Sequence, residues 1–391
     1  MIETRYRVLG GAILTQFTVI GLLFTYGLFF KPLQEEFGWS RTLLSAAASL
    51  GVLSMGMLAI FAGRLNDRVG PRLVLGVSGT LYGVGFLLMA QMSAPWHLLA
   101  IYGLFMGAGF STHDVVTLST IARWFDKRRG IMTGVVKVGT ALGQMALPPV
   151  AAILLVSFGW RETLVILGVG GLVLLWLAAL MMQRPPAALE QVQAGAGGTG
   201  VSFVEARSGR VFWTLCAIQF LFFISVMTVP THLAPHGVDL GMSPATAAVM
   251  LSVLGGTSIV GRLAVGTLVD RVGGKRAMLI CFAILLASLI ALIGTRAHGA
   301  LFVVVAVYGV CHGGLFTVVS PLVAEMFGMR AHGAIFGTIL FFGTLGGAAG
   351  PIAAGWIFDV TGTYAWAFGG LAGLAALGLG LVLSLPARFA N

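Results

Sequence analysis

Apolar residues run along this chain in long blocks that short polar stretches interrupt. The blocks fall near 8–30, 42–63, 73–92, 96–121, 131–156, 162–182, 211–233, 245–268, 277–295, 299–325, 333–358 and 364–386. Each is long enough for a helix to cross a hydrocarbon core of about 30 Å. The pattern therefore predicts twelve transmembrane helices and an all-α membrane protein. Connections are short except at 184–210, where Pro185, Pro186 and the run AGAGGTG form a linker flexible at its centre. It divides the chain into two six-helix bundles, 1–183 and 211–391. The amino-terminal block is too long for a cleaved signal peptide and reads as the first span.

Composition agrees with the pattern: 58% of residues are hydrophobic, 9% are charged, and the mean hydropathy is +0.98. Cys216, Cys281 and Cys311 lie far apart inside apolar blocks and make neither a disulfide framework nor a metal cluster. The net charge of +10 sits in short loops rather than on one face, so it marks topology and not a nucleic-acid partner. With the amino terminus inside, that side carries seventeen Lys and Arg residues against four outside, namely Lys31, Arg41, Arg161 and Arg296. Both termini are accordingly expected in the cytoplasm, in a bacterial inner membrane.

The chain is doubled. Gly63, Asp67, Arg68, Gly70 and Arg72 after the second span recur 203 positions on as Gly266, Asp270, Arg271, Gly273 and Lys275 after the eighth. Gly130, Gly134, Gly143 and Pro148 recur at the same offset as Gly333, Gly337, Gly346 and Pro351. Parallel repeats of this kind imply two pseudo-symmetric bundles related by an axis along the membrane normal. Glycines four apart let helices approach closely.

Three ionised side chains fall inside the blocks at a common depth of roughly 10–12 Å from the cytoplasmic helix ends: Asp114, Lys137 and Arg262. Each costs at least about 3 kcal/mol if it faces lipid, so each must face protein or water. Asp114 and Lys137 are on consecutive antiparallel spans and can pair. Desolvation makes either of them, or the adjacent His113, a candidate to load a proton. Arg262 has no twin, because the matching position holds Ala59. The planar guanidinium suits a carboxylate held bidentately and stays charged in any cavity.

The doubled Gly-x-x-x-Asp-Arg-x-Gly-x-Arg loop resembles the signature of the major facilitator superfamily. Its Asp67 and Asp270, with the neighbouring arginines, are then parts of a gating latch. The stretch from Tyr26 to Arg41, and Ala122, Phe125, Lys127, Arg128, Arg129 and Gly130 before the fifth span, resemble the monocarboxylate-porter and oxalate:formate antiporter branch. That resemblance implies a carrier of small organic anions in which Arg262 binds the substrate carboxylate. The chain departs from the branch at Phe24, Ser258, Ile339 and Leu340, where relatives carry charged residues. Lys137 is the candidate to supply the missing second cation.

Tyr26, Leu28, Gln144 and Phe341, with Thr25, Gln219 and Phe342, are candidates to line the cavity. His312 reads as a histidine bonded between helices. His232 and His236 have metal-like spacing, but Pro230 and Pro235 are expected to break that helix and no third ligand is evident. No cofactor or metal is expected, and the sequence offers no paired catalytic acids, nucleophile elbow or phosphate-cradling loop. The expectation is a non-enzymatic, monomeric secondary transporter in the lipid bilayer, moving a lactate- or pyruvate-like acid with protons by alternating access. An oxalate:formate-like exchanger is the alternative, with a drug or metabolite exporter behind it.

Overall fold

The computed structural model describes residues 2–39, 41–125, 128–186 and 200–386; Lys127, the centre of the linker at 187–199, and Arg388 lie outside them. The elements in order are α1 (Ile2–Thr25), a 3-10 turn (Tyr26–Phe29), α2 (Phe30–Phe37), α3 (Arg41–Val69), α4 (Pro71–Met89) and α5 (Pro95–Ala100). A widened π turn (Ile101–Met106) leads into α6 (Gly107–Trp124), then α7 (Arg129–Met181), α8 (Phe203–Ser208) and α9 (Arg210–Asp239). The chain closes with α10 (Pro244–Val272), α11 (Gly274–Gly294), α12 (His298–Phe327), α13 (His332–Thr361) and α14 (Ala365–Ser384). Among the described residues the architecture is all helix.

Ten of these helices are long and apolar enough to cross a membrane. Two features separate that number from twelve blocks. The 53 residues of α7 would extend about 80 Å, far more than one crossing, and Gly159 at φ 78° breaks them into two limbs. Only glycine adopts that conformation without strain. The fourth block is divided by the π turn, where Tyr102 packs beside Gly51 and the backbone of Gly107 meets Ser54 on α3. Such widened turns occur where a helix must re-aim its side chains.

Residues cluster into two compact units. The first comprises Met1–Asp126, Val136–Gly200 and Met329–Phe341; the second comprises Lys127–Val135, Val201–Gly328 and Phe342–Asn391. The first turns of α7 therefore belong with the second unit, and the first turns of α13 with the first. Glycine makes both memberships possible. A Cβ at Gly63 would lie 2.0 Å from Gly333 O, and one at Gly130 would lie 2.3 Å from Gly266 O. Backbone meets backbone at these points, which is how helices associate when lipid removes the hydrophobic drive.

Each unit has its own apolar core. In the first, Leu22, Phe29, Leu33, Leu44, Tyr82 and Met89 are fully buried, and in the second Phe212, Phe222, Phe282, Tyr308 and Phe368. The helices α10 and α12 also meet backbone to backbone. A Cβ at Gly261 would sit 2.0 Å from Val310 O, and one at Gly313 2.0 Å from Ser258 O. That crossing positions Ser258 and Arg262. Proline does not interrupt α9, contrary to the expectation from Pro230 and Pro235: the helix continues to Asp239. The carbonyls freed by the proline rings can be satisfied locally inside a bundle.

Candidate functional site

In the first unit, the buried Asp114 and Lys137 form an ion pair, Nζ to Oδ1, at 2.5 Å. A third participant is Gln16 on α1, a residue the sequence reading did not single out. Its Nε2 donates to Asp114 Oδ1 at 2.8 Å, to His113 O at 3.0 Å and to Thr117 Oγ1 at 3.1 Å. Its Oε1 accepts from Thr140 Oγ1 at 2.8 Å. Three helices, α1, α6 and α7, thus meet at one carboxylate. The available signal was the repeat: Gln219 stands 203 positions after Gln16.

His113 joins the same group. Its Nε2 lies 3.6 Å from Asp114 Oδ2 and its Nδ1 lies 2.5 Å from Phe110 O, so the 100° step between neighbours does not separate the two side chains. Charges buried this deeply persist only with partners and hydrogen bonds, and here Asp114 has both.

In the second unit, Arg262 is 4% exposed and its Nη1 donates to Ser258 Oγ at 2.7 Å, one turn earlier on α10. A Cβ at Gly134 would lie 2.3 Å from Arg262 O and 3.5 Å from Thr317 Cγ2. The backbone of Arg262 is thus part of the glycine contact between α10 and the first turns of α7. His312 on α12 belongs to the same unit. It differs from the bonded histidine expected: among the described residues its buried Nδ1 has no hydrogen-bond partner, and its ring lies against Tyr308 and Phe316.

The remaining candidates are dispersed. Tyr26 is packed in the first unit's core, its hydroxyl donating to Leu44 O at 2.9 Å and its ring 4.6 Å from Tyr102. Leu28 is half-buried against the same core, Gln144 is exposed on α7, and Phe341 is half-buried. His232 is held by Tyr364 Oη at 3.1 Å and Pro351 O at 3.0 Å. Among the described residues no group of histidine, cysteine and acidic side chains is arranged to hold a metal.

The repeated loops make repeated contacts. Asp67 accepts from Arg123 Nη2 at 2.6 Å and from Ala334 N at 3.2 Å; Asp270 accepts from Gly130 N at 2.7 Å and Ile131 N at 2.9 Å. Each carboxylate therefore faces the N-terminus of a helix, α13 or α7, where unsatisfied N–H groups attract anions. Arg72 donates to Leu180 O at 3.0 Å and Lys275 to Leu383 O at 3.1 Å, again 203 positions apart at both ends. Arg68 and Arg271 are exposed beside them. Glu325, without a twin contact, accepts from Gly274 N at the start of α11 at 2.9 and 2.8 Å.

The family model described as Major Facilitator Superfamily matches residues 12–297 and 238–389. Monocarboxylate transporter 13 of Rattus norvegicus is 28% identical over 375 residues, which covers 95% of this chain and 86% of that protein. The MFS-type transporter YhjX of Escherichia coli (strain K12) is 28% identical over 333 residues, covering 83% of this chain and 81% of that one. The crystal structure of the human organic anion transporter MFSD10 shares the fold with a TM-score of 0.73 at 17% identity, over 97% of this chain and 99% of that one. With its apolar helices, doubled signature loops and matching family model, the chain belongs to the Major Facilitator Superfamily and is a multi-pass membrane transporter, not an enzyme.

Proposed function

We propose that this protein is a secondary active transporter of small organic monocarboxylates of the lactate or pyruvate kind, coupled to protons and working by alternating access. The observation that carries the reading is Arg262: a cation 4% exposed in mid-span, its guanidinium oriented by Ser258. A guanidinium in such surroundings is matched to a carboxylate, which it holds by two parallel hydrogen bonds. The similarity to a monocarboxylate transporter over 95% of the chain supports the same reading.

In this reading Asp114, Lys137 and His113 handle the proton. Lys137 pairs with Asp114 in the empty protein and turns to the substrate anion when it arrives, so that Asp114 is free to take up a proton. Leu28, Gln144 and Phe341 belong to the substrate path in this reading, and Tyr26, its hydroxyl held by Leu44 O, supports it from the core. The bundles 1–183 and 211–391 are the moving halves, linked by 184–210, and the loops at Asp67 and Asp270 are their latches. The protein acts as a monomer in a cytoplasmic membrane with both termini inside.

Uptake of labelled pyruvate into proteoliposomes tests this directly. An acidic outside is expected to drive accumulation against the concentration gradient, and R262K to reduce uptake at least tenfold. Undiminished uptake by R262K removes the anchor. Uptake that requires a preloaded counter-anion and ignores the pH gradient replaces symport by exchange.

A further inference from the structure

The two halves carry a glutamine at matching positions, Gln16 and Gln219, and Gln16 has an acid to hold. In the first unit the Gln16 amide and the Lys137 ammonium converge on the same oxygen of Asp114, at 2.8 and 2.5 Å. In the second half the position matching Asp114 is Thr317, whose hydroxyl donates instead to Gly313 O at 3.1 Å. The position matching Thr140, which satisfies the Gln16 carbonyl, is Gly343. Gln219 thus keeps its place with two of its twin's partners removed. It is 2% exposed.

Among the described residues no hydrogen bond joins a carboxylate of the second half to Gln219. Asp239, Asp270, Glu325 and Asp359 all stand within two residues of the ends of their helices, and Asp270 and Glu325 are engaged by backbone N–H groups there. A cation, however, is at hand from a different helix. Thr317 and the backbone of Arg262 border the same glycine, Gly134, so position 317 lies beside the backbone of Arg262. An aromatic cluster begins beside Gln219. The ring of Phe223 packs with it on Gly343, and Phe222, Phe223 and Phe316 meet at 4.8 to 5.5 Å between ring centroids.

From this we infer that Gln219 is a ligand of the transported acid. Its amide donates to the substrate carboxylate, which takes in the second unit the place that the Asp114 carboxylate takes in the first, with Arg262 as its cation. The inference rests on the carboxylate-transport reading and makes it specific. A carboxylate brought to an amide donor in such surroundings gains a charge-assisted hydrogen bond. The aromatic surroundings favour an acid with a short apolar or keto body over one with a second carboxylate at that end.

The test uses the full-length protein in proteoliposomes and in detergent, with pyruvate as the probe. Q219L is expected to raise the KM for pyruvate uptake by roughly tenfold or more, the worth of one hydrogen bond to a charged group, while Vmax changes less than KM. T317D places an internal carboxylate where the substrate's would lie. It is expected to abolish uptake, to melt above T317N in the absence of any acid, and to gain no thermal stability from added pyruvate. A wild-type KM in Q219L, when R262K has lost uptake, overturns the role of Gln219 and leaves the anchor intact. T317D melting below T317N with its response to pyruvate unchanged overturns the inference as well. Wild-type uptake by R262K overturns the underlying reading instead.

Discussion

Lys137 Nζ lies 2.5 Å from Asp114 Oδ1, and the amide of Gln16 shares that oxygen at 2.8 Å. Removing one member of a buried ion pair leaves the other uncompensated, at a cost of about 3–5 kcal/mol, whereas removing both is far less harmful. D114N and K137M are therefore expected to express poorly and melt early, and the double variant to recover most of the loss. Expression level and melting temperature of the three proteins check it; a double variant no better than either single one argues against pairing.

The latches give a local readout. Asp270 holds the N–H groups of Gly130 and Ile131, and Asp67 that of Ala334. D270N is expected to weaken the capping of α7 by about 1 kcal/mol and so to raise amide hydrogen exchange at Gly130 and Ile131 by roughly fivefold. D67N should do the same at Ala334 and leave α7 unchanged.

Gly313 tests the α10–α12 crossing. The methyl group of G313A would fall 2.0 Å from Ser258 O, so α10 must move away. A destabilisation of about 1–3 kcal/mol is expected from such overpacking, together with a higher KM for pyruvate, since Ser258 orients Arg262. In the control G380A the new methyl has open space, and melting should be unchanged or slightly higher.

Outside the spans, Glu36 accepts from Arg161 Nη1 and Trp160 Nε1, each at 2.6 Å. The hydrogen bond from Arg161, and next that from Trp160, holds the Glu36 carboxyl below its ordinary range. A carboxyl lowered in the folded state adds stability above its ordinary value of about 4.3 and loses it as pH falls through the lowered value. E36Q is expected to melt slightly below wild type at pH 7, with the gap closing in acid. Both sites are solvent-accessible, so the effect should be small and should shrink in high salt.

Much of this was legible without coordinates. Block length and composition determine the class, because only a helix satisfies its own backbone in lipid. The 203-residue repeat exposes the doubled halves, and the rarity of charge in apolar blocks singles out Asp114, Lys137 and Arg262. Helical rise placed Asp114 and Lys137 at one depth, which is why their pairing could be expected.

What the sequence left undecided depends on which atoms share a small volume. Gln16 looks like any polar residue in a first span until α1, α6 and α7 bring it to Asp114. Tyr26, a candidate for the substrate path, has its hydroxyl committed to Leu44 O, a partner that backbone packing alone supplies. The first turns of α7 cluster with α10 rather than with the rest of their own helix, because Gly130 and Gly134 permit backbone contact with Gly266 and Arg262. The chain by itself determined that Arg262 is costly, buried and without a twin. Only the tertiary structure decided that Ser258 orients it and that Gly134 bears on its backbone, since hydrogen bonds and close packing act over a few ångströms that sequence distance does not measure.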